Sequence, residues 1–258
     1  MDIVSAILLG IVQGVTEFLP ISSTGHLILT RGLLETSDAH ALAFDAMLHV
    51  ATAGAVVIYF RRDIVRLVHV FFRMIGRLPV DRRDASLIYA LIAGTAPAVV
   101  LGLLLEEFME TTFRSPLLVA GVLVLGSVLF MFAEHQYRGQ SRKNNINGEK
   151  GFTIGLFQSL ALIPGMSRSG ASIAGGMLLG LSRIEAARFA FLLAVPVLLG
   201  AGAKKFLELA TVDIVVPWAA VAAGAAVAFI VGLLAIHLVP HYPCHDCRGR
   251  RLSRLTRG

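Results

Sequence analysis

Long apolar runs separated by short polar bursts set the rhythm of this chain. Five runs, 40–60, 86–105, 116–133, 186–207 and 214–239, approach or exceed the roughly 20 residues with which a helix crosses about 30 Å of hydrocarbon. In lipid only helices and closed barrels satisfy their own backbone, so the runs predict membrane helices. A soluble bundle would need polar helix faces that these runs lack. Two further apolar stretches, about 1–34 and 151–182, are broken midway by proline, glycine and hydroxyl residues. Residues 1–19 resemble a signal peptide only in hydropathy. They have no basic leader, and Gln13 and Glu17 interrupt the run, so they are expected in the mature protein.

Composition supports a membrane solvent. Of 258 residues, 56% are hydrophobic and 16% charged, and the mean hydropathy is +0.75. Soluble domains carry about 25% charge. The net charge of +6 does not point to nucleic acid, because of where it lies. Seven arginines fall in 61–83 and five in 248–257, both beside apolar runs. That bias marks cytoplasmic loops. Segments 61–85 and 134–150 are therefore expected inside, and the acidic segments 106–115 and 208–213 outside. The two cysteines, Cys244 and Cys247, lie in a basic tail, 241–258, expected to be disordered. One CxxC in such a tail, even with His241 and His245 nearby, is weak evidence for a metal.

The two broken stretches share a register. "GIVQGVTEFLPISSTGH" from Gly10 aligns with "GLFQSLALIPGMSRSGA" from Gly155 at an offset of 145 residues. That offset pairs Gln13 with Gln158, Ser22 with Ser167 and Gly25 with Gly170, and later Phe44 with Phe189 and Leu48 with Leu193. By the charge bias, 40–60 runs outside to inside and 186–207 inside to outside, so the halves, about 1–133 and 151–240, are inverted. Inverted repeats with broken segments place a polar site near the bilayer midplane. The expected fold is an all-α integral membrane protein: an inverted-topology repeat with two re-entrant helical hairpins and about five to six transmembrane helices.

The two turns concentrate the polar chemistry. Gln13 and Glu17 share one helix face, and a carboxylate at membrane depth costs on the order of 2.5–3.5 kcal/mol on insertion scales, which makes it a functional candidate. Its structural alternative is an ion pair with Arg168. Arg168, between Ser167 and Ser169 and after Pro164-Gly165, offers a planar fork suited to phosphate. Ser22, Ser23, Thr24 and His26 bring hydroxyls and an imidazole, the minimum for nucleophilic or acid–base chemistry. Arginine with serines to hold phosphate, a carboxylate to take a proton or cation, and a histidine to move a proton together point to phosphoryl chemistry on a lipid-borne substrate. A lipid transporter or flippase with a midplane phosphate site is the alternative, and a subunit whose polar turns only pack helices is another.

"QGVTEFLPISSTGHL" (13–27) with "ALIPGMSRSGASIAGGMLLGLSR" (161–183) resembles the BacA/UppP family of undecaprenyl-diphosphate phosphatases, over nearly the whole chain to about residue 240. The resemblance implies hydrolysis of undecaprenyl diphosphate to the monophosphate and inorganic phosphate, with Mg²⁺ or Ca²⁺ as cofactor and bacitracin resistance on overproduction. It implies a bacterial cytoplasmic membrane, with the site open to the outer face. It puts the family's glutamate motif on Gln13 and Glu17, which become the candidate metal ligands. Gln13 is at most a neutral one. The hydroxyl and histidine positions fall on Ser23 and His26, leaving either as nucleophile, with His26 the base if Ser23 attacks. The phosphate motif falls on Pro164, Gly165, Ser167, Arg168, Ser169 and Ser172, with Ser22 and Thr24 beside it. The family ends in another membrane helix where this chain has its basic tail. Without that helix the chain would expose apolar surface or have a partner chain in its place, and a homodimer is among the expected partners. Membrane lipids are the other expected partners, and nucleic acid is not expected.

Overall fold

A computed structural model describes residues 1–35, 41–112, 115–137, 146–211 and 217–238. The tail 241–258 with Cys244 and Cys247, and the charged residues Arg114, Arg138, Arg142 and Lys143, lie outside the described residues, as do residues 212–213 of segment 208–213. In chain order the helices are α1 (Ile3–Thr16), α2 (Ser23–Leu33), α3 (Ala41–Tyr59), α4 (Arg61–Ile75), α5 (Arg82–Thr112), α6 (Pro116–Gln136), α7 (Gly148–Ser159), α8 (Arg168–Leu178), α9 (Arg183–Thr211) and α10 (Trp218–Leu238). A 3-10 turn, Leu160–Leu162, follows α7. The protein is an all-α integral membrane protein.

Among the described residues, four helices are long and apolar enough to cross a membrane: within α5, α6, α9 and α10. Ala43–Tyr59 of α3 adds a fifth when taken with α4, from which it is bent by 82°. These are the five apolar runs of the sequence. The arginine-rich segment 61–85, expected as a connecting loop, departs from its reading because it contains the 15-residue α4. Its arginines alternate with apolar residues at helical spacing, and a helix lying at the end of a span needs no apolar run.

The remaining helices are short. α1, α2, α7 and α8 have 14, 11, 12 and 11 residues. At 1.5 Å per residue none exceeds about 21 Å, too little to span the hydrocarbon. Each pair, α1–α2 and α7–α8, is joined by a turn and forms one of the two broken stretches. The offset of 145 carries Ser23–Leu33 onto Arg168–Leu178 residue for residue. It also carries caps onto caps. Asp2 caps α1 through Ser5 N at 2.9 Å, and Asn147 caps α7 through Lys150 N at 3.0 Å. Ser22 caps α2 through Gly25 N, and Ser167 caps α8 through Gly170 N. Each cap satisfies an amide that the first helical turn leaves without a partner.

Packing repeats as well. α1 crosses α10 where a Cβ on Gly10 would stand 2.4 Å from Gly224 O. α7 crosses α5 where a Cβ on Gly155, the matching residue, would stand 2.2 Å from Gly94 O. Membrane helices lack a hydrophobic drive toward one another, and small residues let their backbones approach closely enough for dispersion to hold them. Leu9, Leu27, Phe44 and Leu48 fill the core around the first hairpin, and Ile154, Ile173, Phe189 and Leu193 that around the second. Leu104, Leu117, Val124, Met131 and Leu234 face outward, over 60% exposed. On a membrane protein this surface is solvated by acyl chains.

Candidate functional site

The two hairpin turns meet. Ser169 Oγ donates to Leu19 O at 3.0 Å, and Gly170 packs so closely on Pro20 that a Cβ there would lie 3.2 Å from it. Gly165 has φ +101°, a left-handed conformation that glycine alone adopts cheaply, and a Cβ would also strike Val119 O. Ser22 has φ +66° without being glycine. Residues held in such regions store strain of about 1–3 kcal/mol and cluster at functional sites.

Glu17 stands at the junction, 7% exposed. Its Oε1 accepts a hydrogen bond from Arg168 Nη2, and its Oε2 accepts from Ser23 Oγ at 2.7 Å and Gln13 Nε2 at 2.9 Å. Ser23 is the first residue of α2 and Arg168 the first of α8. One carboxylate therefore ties the N-terminal ends of both inner helices, the ends where free amides and the helix dipole favour an anion. The ion pair expected as a structural alternative is present. It does not exhaust Arg168, whose guanidinium carries five donors.

Two residues at this junction were not singled out by the sequence. His49 Nδ1 lies 3.1 Å from Glu17 Oε2 and 2.8 Å from Gln13 Nε2, and Thr52 Oγ1 lies 3.3 Å from the same Gln13 nitrogen. With a proton on Nδ1, His49 donates to Glu17. Without one, it accepts from Gln13. One turn before His49, Asp45 pairs with the buried Arg31. The signal was available: Asp45 and His49 are ionisable residues inside the run 40–60, and such residues in a span are functional candidates by default.

The other expected residues sit as follows. His26, on the first turn of α2, directs Nδ1 to Ser22 O at 2.8 Å. A carbonyl only accepts, so Nδ1 carries the proton and the lone pair of a neutral ring is on Nε2. Ser23 was expected to take His26 as its base, but the hydrogen bond runs to Glu17. The reason is local. His26 is four residues beyond Ser22 and folds back on that carbonyl, as helical geometry favours. Thr24 lies beside His26 on the same turn. Ser167 and Ser169 lie 3.1 Å apart, oxygen to oxygen. Ser172 Oγ is buried with no partner among the described residues, as are both amide atoms of Gln158.

No cluster of three or more His, Cys, Asp or Glu side chains that would cage a metal occurs among the described residues. Gln13 Oε1, however, is buried beside Glu17 with no partner among the described residues. A carboxylate, an amide oxygen and hydroxyls are hard oxygen donors. They fit a divalent cation that takes its other ligands from phosphate and water, as Mg²⁺ commonly does.

The model of a family described as bacitracin resistance protein BacA matches residues 6–243. Among curated relatives, an undecaprenyl-diphosphatase of Chloroherpeton thalassium is 44% identical over 216 residues, 81% of this chain and 76% of its own. One of Rubrobacter xylanophilus is 45% identical over 204 residues, 78% of this chain and 75% of its own. One of Alteromonas mediterranea is 40% identical over 238 residues, 92% of this chain and 89% of its own.

Proposed function

The chain belongs to the bacitracin resistance protein BacA family, and we propose that its enzymatic activity, hydrolysis of undecaprenyl diphosphate to undecaprenyl phosphate and inorganic phosphate, is carried out where Glu17 joins Ser23 to Arg168. One observation carries this assignment: a hydroxyl, a carboxylate and a guanidinium share one buried junction at the ends of two facing half-helices.

The mechanism follows from those contacts. The diphosphate enters against the amides of α2 and α8. Arg168 turns its remaining donors to the phosphate oxygens and holds the charge that grows in the transition state. Ser167, Ser169 and Ser172, with Ser22 and Thr24, supply hydroxyl donors around the same anion, and Gly165 lets the backbone come close. Ser23 Oγ attacks the terminal phosphorus as its proton passes to Glu17. The bond from that phosphorus to the bridging oxygen breaks, and undecaprenyl phosphate leaves. Glu17 then returns that proton to Ser23 Oγ as the Oγ–P bond breaks and takes the proton of the attacking water, which frees inorganic phosphate and Ser23. A second reading rests on the free lone pair of His26 Nε2, which attacks in place of Ser23. His49 and Gln13 orient Glu17 in either case. A divalent cation, Mg²⁺ or Ca²⁺, would be held by Glu17 and Gln13 Oε1 and would supply neutralising charge to the phosphates.

The halves 1–133 and 151–240 form the inverted repeat, and matching caps and glycine crossings support that reading. The protein resides in a bacterial cytoplasmic membrane with the site open to the outer face, where spent carrier appears. The test is phosphate release from undecaprenyl diphosphate by detergent-purified protein, with rapid acid quench to trap the intermediate. An acid-stable phosphoenzyme lost in Ser23→Ala supports serine attack. An acid-labile one lost in His26→Ala moves attack to the imidazole. Full activity in Arg168→Ala would remove the junction from the reaction.

A further inference from the structure

Helix α4 has three faces where a soluble surface helix has two. Asp63, Leu67, Val70 and Met74, spaced four, three and four, form one stripe. Leu67 and Val70 are buried, in a cluster with Ile88 and Leu192, and Asp63 accepts a hydrogen bond from Arg188. This face packs on the protein. Val65, Val68, Phe72 and Ile75, spaced three, four and three, form a second stripe that is 68%, 49%, 65% and 64% exposed. Arg62, Arg66, His69 and Arg73, spaced four, three and four, form a third, basic stripe. At 100° per residue the apolar stripe and the basic stripe lie about 110° apart.

The attachment of α4 orients these faces. It leaves the transmembrane α3 at an angle of 82° after a single residue, Phe60. A helix set nearly square to a span lies nearly parallel to the membrane plane, at the level where that span ends. There an exposed apolar stripe meets acyl chains, and a basic stripe beside it sits at the depth of lipid phosphates. The charges match that depth. Residues 61–84 hold seven arginines against Asp63, Asp81 and Asp84. Asp63 is taken by Arg188, and Asp84 lies 3.3 Å from Arg66. Arginine pairs with phosphate through a planar fork, and clustered cations beside a span attract anionic headgroups. The Arg73 fork is partly used on Pro79 O at 2.9 Å, which holds the end of the helix in place. Arg62 is exposed.

We propose that α4 is an interfacial helix that binds anionic phospholipid, with Val65, Val68, Phe72 and Ile75 in the acyl layer and Arg62 and Arg73 on the headgroup phosphates. The site is separate from the Glu17 junction and does not depend on how that junction works. Its occupant is a bulk membrane lipid, distinct from the diphosphate that the enzyme hydrolyses.

The test puts a single indole on the helix. Phe72→Trp is combined with Trp218→Phe, and the full chain is reconstituted in vesicles. The expected result has three parts. Lipids brominated near the top of the acyl chain quench the indole at position 72, while aqueous iodide does not. Energy transfer from that indole to dansyl-phosphatidylglycerol exceeds transfer to dansyl-phosphatidylcholine by several-fold. The excess disappears when Arg62→Gln and Arg73→Gln are added, with phosphate release from undecaprenyl diphosphate kept as proof of folding. Equal transfer to the two dansyl lipids would overturn anionic recognition. Quenching by iodide but not by brominated lipid would overturn the interfacial placement and leave the apolar stripe to a protein partner. If Phe72→Trp does not fold, the same readings are made from Ile75→Trp.

Discussion

Glu17→Gln is the substitution that asks most of the junction. The amide is nearly isosteric, so packing is kept while the charge is lost. Two consequences separate. Ser23 loses the group that accepts its proton. Removing a general base costs about 10²- to 10⁴-fold in rate, or roughly 3–5 kcal/mol in the barrier at about 1.4 kcal/mol per decade. Arg168 loses its counter-charge in a site where the two side chains are 19% and 5% exposed. Breaking a buried pair costs about 3–5 kcal/mol. The amide oxygen still accepts from the guanidinium, so the lower end applies. Turnover of undecaprenyl diphosphate is followed by released phosphate, and stability by thermal unfolding in the same detergent. The expected result is a lower unfolding midpoint and kcat down by at least about a hundredfold. The pair also predicts non-additivity. Arg168→Gln and Glu17→Gln together should lose less activity than the product of their separate losses, by roughly tenfold, because each single variant strands the other's partner. A folded Glu17→Gln enzyme turning over at the wild-type rate would refute the base assignment. Losses that multiply in the double variant would refute the coupling.

Three further outcomes follow from the structure. His49→Leu removes the imidazole 3.1 Å from Glu17 Oε2, and with its proton on Nδ1 that hydrogen bond to a charged group carries about 1.5–3 kcal/mol; kcat should then fall roughly ten- to a hundredfold with KM little changed, and a KM effect alone would place His49 in substrate binding instead. Gly155→Val drives a Cβ to within 2.2 Å of Gly94 O, so the unfolding midpoint should drop by an amount equivalent to about 1–3 kcal/mol, while Gly148→Ala, which meets nothing within 4 Å, should leave it in place. A chelator should suppress phosphate release, added Mg²⁺ or Ca²⁺ should restore it, and Gln13→Leu should raise the cation concentration needed for half-restoration; an unchanged requirement would remove Gln13 from the metal.

Particular residues show what could be read early. Glu17 and Arg168 were visible because a charge inside an apolar stretch is costly and is kept only for cause. The common register of Gly10 and Gly155 marked their two turns as counterparts, and left the ion pair between them as one alternative. Helix α4 was hidden by its own chemistry. Its arginines break every apolar run, and the three-stripe pattern has meaning only beside a span that ends at Phe60. His49 was hidden by the opposite effect, one imidazole averaged into a run that reads as lipid-facing. His26 was visible, but its hydrogen-bond partner was not, because nothing along the chain shows that the helix turns the ring back onto Ser22 O.

The sequence by itself determined the solvent, the spans, the two broken hairpins and the family. Each depends on composition and spacing along the chain: apolar length, interruption by proline and glycine, and two polar motifs in a common register. Tertiary structure alone decided the partners. Glu17 meets Arg168 across 151 residues of chain. It meets His49 from a helix that carries no motif, and Ser23 ahead of His26 as its hydrogen-bond donor. Hydrogen bonds act over about 3 Å, and distances of that size are set by how α1, α2, α3 and α8 pack. Around them, glycines bring the backbones of α1 and α10, and of α5 and α7, into contact.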